Sequence, residues 1–357
     1  MKSTDELIVR LGSVPLYADL NEEERVDIAV GLQARTYQAG DVLIRQGAQP
    51  DGIYFILSGT VRVTAKLPGG GETLLAEFGP GATLGELALI RSVARSATVT
   101  AQAPVEAIYA DWRFLKAALG QLRPGAFKVF QALARGLAAR MRALHTSVQE
   151  VALGRERGFE MFALPTAASN PPDNADAASR LSFQAFLPLL PCFREFDQAG
   201  ISVLLQQGSI VSMTRGSTLL ALDEKPSHVY VVVRGAVASG FLDAGAFHLV
   251  SVRGPGCFCG VNAIIENAVT TASYIVWENA VLLQIPRQDA VRLIHGDDLT
   301  AFAFLNAVLE HQAAMIARAT NHLKRLVGLS RLYQQLQRAE LVRYKESVTD
   351  GIHTLRG

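Results

Sequence analysis

Between Gly85 and Val99 the chain reads Gly-Glu-Leu-Ala-Leu-Ile-Arg-Ser-Val-Ala-Arg-Ser-Ala-Thr-Val, which places one carboxylate, one helix start and one guanidinium in a single short segment. Gly85 lets the backbone come close to a ligand, and Leu87 to Arg91 is expected to form one short helical turn whose free N–H groups face an anion. Arg95 can close such a cradle with paired, charge-assisted hydrogen bonds to phosphate oxygens, while the Glu86 carboxylate can accept from a sugar hydroxyl. Glu86 would repel a multiply charged phosphate. The set therefore suits a phosphodiester with one negative charge and a free ribose hydroxyl better than a triphosphate. It is not a P-loop, because no Gly-Lys-Ser or Gly-Lys-Thr follows the glycine. A plain surface ion pair between Glu86 and Arg95 is the alternative reading.

The run Gly85-Glu86-Leu87-Ala88-Leu89 followed by Arg95-Ser96-Ala97 resembles the phosphate-binding cassette of the cyclic nucleotide-binding domain family, of the cAMP receptor protein and kinase regulatory-subunit type. Gly40-Asp41, Gln46-Gly47, Asp51, Tyr54-Phe55-Ile56 and Gly59 extend the likeness upstream, so that it covers roughly residues 15 to 150. The resemblance implies ribose binding by Glu86 and phosphate binding by Arg95. It further implies backbone and hydroxyl contacts from Gly85, Ala88 and Ser96, Leu87 and Ala97 as further residues of the ligand site, and Val63 and Leu75 lining the base pocket. It also implies a following helix that swings over the ligand, with Leu144, Thr146 or Ser147 nearest the base. Ser96 directly after the cassette arginine ranks cAMP first and cGMP second.

The elements that must position these groups occur twice. Gly40 and Gly59 are matched by Gly216 and Gly235, Tyr54 by Tyr230, and Gly79-Pro80-Gly81 with Gly85 by Gly254-Pro255-Gly256 with Gly260, at an offset of 175 residues between the cassette glycines. Each copy reads as short β-branched strands, such as Val61 to Val63 and Val229 to Val233, broken by Gly and Pro turns. The expected architecture is mainly β with flanking helices: two tandem, jelly-roll-like β-rolls, each with N- and C-terminal helices. At the same offset Glu86 becomes Val261, Arg95 becomes Thr270 and Ser96 becomes Thr271, while Ala97 is kept as Ala272. Losing charge-assisted hydrogen bonds worth about 1.5–3 kcal/mol each should lower conventional cyclic nucleotide affinity by orders of magnitude. The second copy is therefore expected to be degenerate, with Asn262, Thr270 and Thr271 left as candidates for some other polar ligand.

Four segments are expected: residues 1–150 as a domain with a complete cassette, 151–180 as a linker, 181–320 as the degenerate domain, and 321–357 as a basic C-terminal helix and tail. Leu164 to Ser179 is rich in Pro, Asn, Asp and Ala and reads as a mobile tether. In Pro124 to Glu150, Phe127, Phe130, Leu133, Leu137, Met141, Leu144 and Val148 recur every three or four residues, an amphipathic stripe that must be buried on its own domain or against a partner. The stripe favours a homodimer. Ala301 to Ala317 reads as an apolar-rich helix, and Arg318 to Lys345 carries seven Lys or Arg against one Glu. Such a stretch can bind phosphate backbones or acidic surfaces, yet it lacks a clear helix-turn-helix, so DNA binding is not the favoured reading.

The remaining composition narrows the class. With 34 Lys+Arg against 33 Asp+Glu, no global basic excess argues for nucleic acid. The apolar runs fall short of the ~20 residues that span a bilayer, and Met1 to Arg10 does not read as a signal peptide. The odd set Cys192, Cys257 and Cys259 fits a reducing cytoplasm, and no metal-ligand spacing accompanies Cys257-Phe-Cys259. No catalytic motif appears among the seven scattered histidines. The expectation is a non-enzymatic, cytoplasmic cyclic nucleotide sensor, without cofactor or metal, that signals to an unidentified protein partner. A transcription regulator with a reduced DNA-binding end, or a ligand-independent scaffold, are the alternatives.

Overall fold

Asn21 sets the first helix start that matters for the site. Its side chain accepts from the Glu24 amide at 2.9 Å while the Glu24 carboxylate accepts from the Asn21 amide at 2.8 Å, a reciprocal cap at the head of α2 (Glu22–Ala29). The computed structural model describes residues 4–12, 14–66, 72–153, 161–162, 183–243 and 246–322. Helix α1 (Thr4–Leu11) and α2 precede eight strands: β1 (Leu32–Tyr37), β2 (Val42–Ile44), β3 (Gly52–Ser58), β4 (Val61–Lys66), β5 (Glu72–Phe78), β6 (Thr83–Leu84), β7 (Thr98–Ala101) and β8 (Val105–Asp111). These pair antiparallel in two four-stranded sheets, ordered β1-β8-β3-β6 and β2-β7-β4-β5. In β3 alternate residues serve two cores: Ile53 and Phe55 face the helices, while Tyr54 and Ile56 face the roll interior.

Helix α3 (Glu86–Ile90) interrupts the roll between β6 and β7, and α4 (Trp112–Gly120) and α5 (Pro124–Leu153) follow it. Proline at the first position of α5 loses no hydrogen bond there, since that amide has no partner within the helix. The second half repeats the plan with β9 (Met161–Phe162), α6 (Phe183–Phe186), α7 (Gln198–Gln207), β10 (Ser209–Met213), β11 (Thr218–Leu220), β12 (His228–Asp243), β13 (Ala246–Arg253), β14 (Phe258–Cys259), α8 (Val261–Ile265), β15 (Ser273–Pro286), α9 (Arg287–His295) and α10 (Leu299–His322). Here the long strands β12 and β15 bend through both layers, so hydrogen bonding joins seven strands into one curved sheet. Two tandem β-rolls with flanking helices are the fold that the residue pattern leads one to expect.

Helix α5 is the element on which both halves close. Its residues Phe127, Phe130, Leu133, Leu137 and Met141 share one core with Leu305, Leu309 and Ile316 of α10, and Val148 packs with Phe241, Val250 and Ala272 inside the second roll. Burying each such side chain contributes about 1.5–3 kcal/mol. Gln312 of α10 donates from Nε2 to the Ala134 carbonyl and to Asn262 Oδ1, both at 3.0 Å, which pins α5, α8 and α10 together. The apolar stripe that argued for a homodimer is thus covered within one chain.

Several other expectations change here. Helix α5 runs to Leu153 and β9 pairs with β13, Phe162 opposite Phe247, so part of the expected 151–180 linker belongs to a helix and to the second sheet. The whole Leu164 to Ser179 tether and the basic stretch beyond His322 lie outside the described residues. Helix α10 is long and apolar enough by length and hydropathy to cross a membrane, contrary to the sequence reading, but 72% of its apolar window is buried in the protein, as in a core helix.

Candidate functional site

The first roll gathers its charged groups at one helical turn. Gly85, in the left-handed region at φ +92, heads α3, and a Cβ there would lie 2.5 Å from Arg95 Nη1, so both conformation and space require glycine. Arg95, 5% exposed, donates from Nη1 to the Gly85 carbonyl at 2.6 Å and from Nη2 to the Gly52 carbonyl at 2.7 Å and Asp51 Oδ1 at 3.0 Å. Held by three acceptors on two strands' ends, the guanidinium is fixed before any ligand arrives. Asp51 and Gly52 sit against a cluster in which the Arg35 guanidinium lies 3.5 Å over the Tyr109 ring and donates to the Tyr54 hydroxyl at 3.0 Å. Burial pushes the Tyr54 and Tyr109 phenols up, so both stay protonated.

Glu86 is 3% exposed, and its Oε1 accepts from Arg140 Nη1 of α5 at 2.8 Å, leaving Oε2 without a partner among the described residues. Glu86 and Arg95 therefore do not pair with each other, and the plain ion-pair reading does not hold. Ala88 is buried beneath the turn, Leu87 is half-buried, Ser96 is exposed and Ala97 half-buried just before β7. Val63 of β4 lies opposite Val99 of β7 and Ala76 of β5. Leu75 falls at the register shift in β5, half-buried beside them. All nine expected site residues thus lie around the turn and the three strands next to it.

Of the α5 residues expected near a base, Leu144 packs on the core that α5 shares with α10, Thr146 is exposed and Ser147 is half-buried. From Ala138 onward α5 crosses the second roll: Arg142 donates to Glu266 Oε2 at 2.8 Å and to the Val269 carbonyl at 3.0 Å, and His145 Nδ1 meets Thr271 Oγ1 at 2.7 Å. Thr146 spends its hydroxyl on the Arg142 carbonyl at 3.2 Å. Burial, reinforced by the Arg253 and Arg142 charges, lowers the His145 pKa to about 3, so its imidazole is neutral. Sequence reasoning missed the Arg140 partnership with Glu86; Arg140 stands with Arg135 and Arg142 among the polar positions of the helix, and nothing in the sequence sets it apart from them.

The second cassette keeps the backbone of the first. Gly260 heads α8 at φ +83, but Val261 stands at the carboxylate position, and Thr270, at the guanidinium position, donates its hydroxyl to the Ala221 carbonyl at 2.5 Å. Among the described residues no cluster of metal-ligating side chains occurs, and all three cysteines are free.

Residues 34–121 and 210–297 each match the cyclic nucleotide-binding domain family. Among curated proteins, the chain is 40% identical over 95 residues to a cyclic nucleotide-gated potassium channel of Mesorhizobium japonicum, covering 27% of this chain and 25% of the channel. It is 39% identical over 90 residues to a cAMP-dependent protein kinase regulatory subunit of Dictyostelium discoideum, covering 25% of this chain and 28% of the subunit. The chain thus spans about a quarter of the length of these relatives. Among solved structures, it resembles a cyclic nucleotide-binding domain from Methylobacillus flagellatus at 24% identity and TM-score 0.37, covering 43% of this chain and 85% of that one. With the two matches falling on the two rolls, the chain carries the cyclic nucleotide-binding domain twice in tandem.

Proposed function

We propose that the chain is a cytoplasmic, non-catalytic sensor that binds cAMP, with cGMP as the weaker ligand, in the first roll and passes the change through α5 to the second domain and a protein partner. The observation that carries this reading is the pair of nearly buried, separately held charges on one turn. Arg95 is fixed by Gly85, Gly52 and Asp51 to meet a phosphate, and Glu86 has one oxygen free to accept from a ribose hydroxyl. Gly85, Leu87, Ala88, Ser96 and Ala97 supply the wall and backbone of the phosphate site, and Val63 and Leu75 the floor beneath the base. Transmission is read through Arg140, because the residue that holds Glu86 sits on the same helix as Arg142 and His145, which hold the second roll. With the α5 stripe covered internally, the partner surface is assigned to the second domain rather than to a symmetric α5 contact.

Calorimetric titration of the full chain with cAMP and cGMP tests the reading. Wild type is expected to bind cAMP more tightly than cGMP, and Arg95→Ala to weaken cAMP at least tenfold, the equivalent of about 1.4 kcal/mol. Absence of binding below about millimolar for both nucleotides overturns it. The shared core of α5 and α10 favours a second reading, in which the fold serves as a ligand-independent scaffold. Capture of the same partner with and without nucleotide would identify that case.

A further inference from the structure

The second roll lost the cassette guanidinium but holds another one. Arg253 ends β13, directly before Gly254-Pro255-Gly256, where the first roll has Phe78 before Gly79-Pro80-Gly81. Phe78 packs on the apolar interior of its roll. Arg253 is 3% exposed in the corresponding place, and no carboxylate pairs with it among the described residues. Its Nη1 donates to Ser251 Oγ at 3.1 Å and its guanidinium lies 4.8 Å over the Tyr274 ring. Nε is fully buried with no partner, and Nη2 holds no hydrogen bond. The unused Nε–Nη2 edge is the one that grips two oxygens of a carboxylate or phosphate side by side.

The carboxylate nearest by, Glu266, is paired with Arg142 at 2.8 Å rather than with Arg253. Tyr274 also lines the cavity between α5 and the second cassette, together with His145, Asn262, Thr270 and Thr271. The His145 and His311 imidazoles near Arg253 are held neutral by burial, and burial pushes the Cys259 thiol up to about 12, so it stays protonated. Asn262 commits its Oδ1 to Gln312, leaving its amide N–H groups unused, and His145 uses only Nδ1. A buried guanidinium without a carboxylate partner of its own is costly unless an anion completes it.

We propose that the second roll binds a small oxyanion, a carboxylate or phosphate group, on the Nε–Nη2 edge of Arg253. The cation has moved from the cassette turn to the strand, so the site differs from that of the first roll in ligand as well as in place. Val261 and Thr270 leave nothing to hold a ribose hydroxyl and a cyclic phosphate in the first roll's manner.

The test uses the full chain carrying Arg95→Ala, which weakens the first site as proposed above, with inorganic phosphate, malonate and cAMP as separate probes. Phosphate or malonate is expected to raise the thermal midpoint saturably, and addition of Arg253→Phe to reduce that apparent affinity at least tenfold while raising the midpoint of the ligand-free chain. A response to phosphate alone identifies a phosphate group, and a response to malonate alone a carboxylate. Should the Phe variant fail to fold, the Arg253 Nε–H resonance, assigned by its loss in Arg253→Lys, reads the same contact and should shift with probe concentration. The proposal is overturned if neither phosphate nor malonate gives an Arg253-dependent response by either measurement, or if cAMP alone does so.

Discussion

Arg140 illustrates how one side chain decides what a neighbouring carboxylate can do. By bonding Oε1 of Glu86 at 2.8 Å it fixes the rotamer and leaves Oε2 as the acceptor for a hydroxyl. Because the guanidinium is 39% exposed, the contact contributes little to stability, on the order of 1 kcal/mol or less, and its consequence is geometric. Arg140→Ala is expected to weaken cAMP binding three- to tenfold with the unfolding midpoint nearly unchanged, whereas Glu86→Ala should cost at least as much affinity. Titration calorimetry of both variants and the double mutant checks this, since positioning through Glu86 requires the two losses to be non-additive. Glu86 and Arg95 could be read from the sequence because their types and spacing carry the chemistry. Arg140 could not, since its meaning depends on a helix returning across 54 positions of chain to meet Glu86.

At the scale of elements, α5 was legible as an amphipathic helix but its destination was not. Periodicity fixes that a stripe is buried and is silent on what buries it. Here the answer is α10 and the interior of the second roll, which turned an expected dimer contact into an internal one. The short β9 was illegible for a related reason: two residues hold no periodicity, and only pairing with Phe247 and His248 makes them a strand. Burial of neutral His145 between α5 and the second roll gives a pH signature. Its folded-state pKa of about 3 lies below the ordinary 6.5, so the unfolded chain takes up a proton that the folded chain refuses. Stability is therefore complete above pH 6.5 and is lost as pH falls from there towards 3, by about 2 kcal/mol at pH 5. Urea unfolding at pH 7 and pH 5 should show that loss, with a shallower pH dependence in His145→Gln, although Thr271, Arg142 and Arg253 all face the ring and remain.

For the whole molecule, the repeat announced two domains and the packing joined them. The offset of 175 residues made both rolls visible, including the missing carboxylate and guanidinium of the second. The guanidinium at Arg253 escaped notice because it lies on a strand rather than in the cassette, and a single Arg in a β-run looks like an exposed side chain until its burial is known. Because one core runs through α5 and α10, the two halves are expected to unfold together. Trp112 lies in the first half and Trp277 in the second. Denaturation followed by fluorescence in Trp112→Phe and in Trp277→Phe should give coincident midpoints, and two separated midpoints would show independent units.

The bridging position of Gln312, with one amide group serving both the Ala134 carbonyl and Asn262, bears on any attempt to isolate the sensor half. A protein ending at Leu153 would keep Glu86, Arg95 and Arg140, yet Met141, His145 and Val148 would be stripped of the surfaces that now cover them. Such a fragment should self-associate through the surfaces it uncovers, so the oligomeric state measured on it would not report that of the full chain.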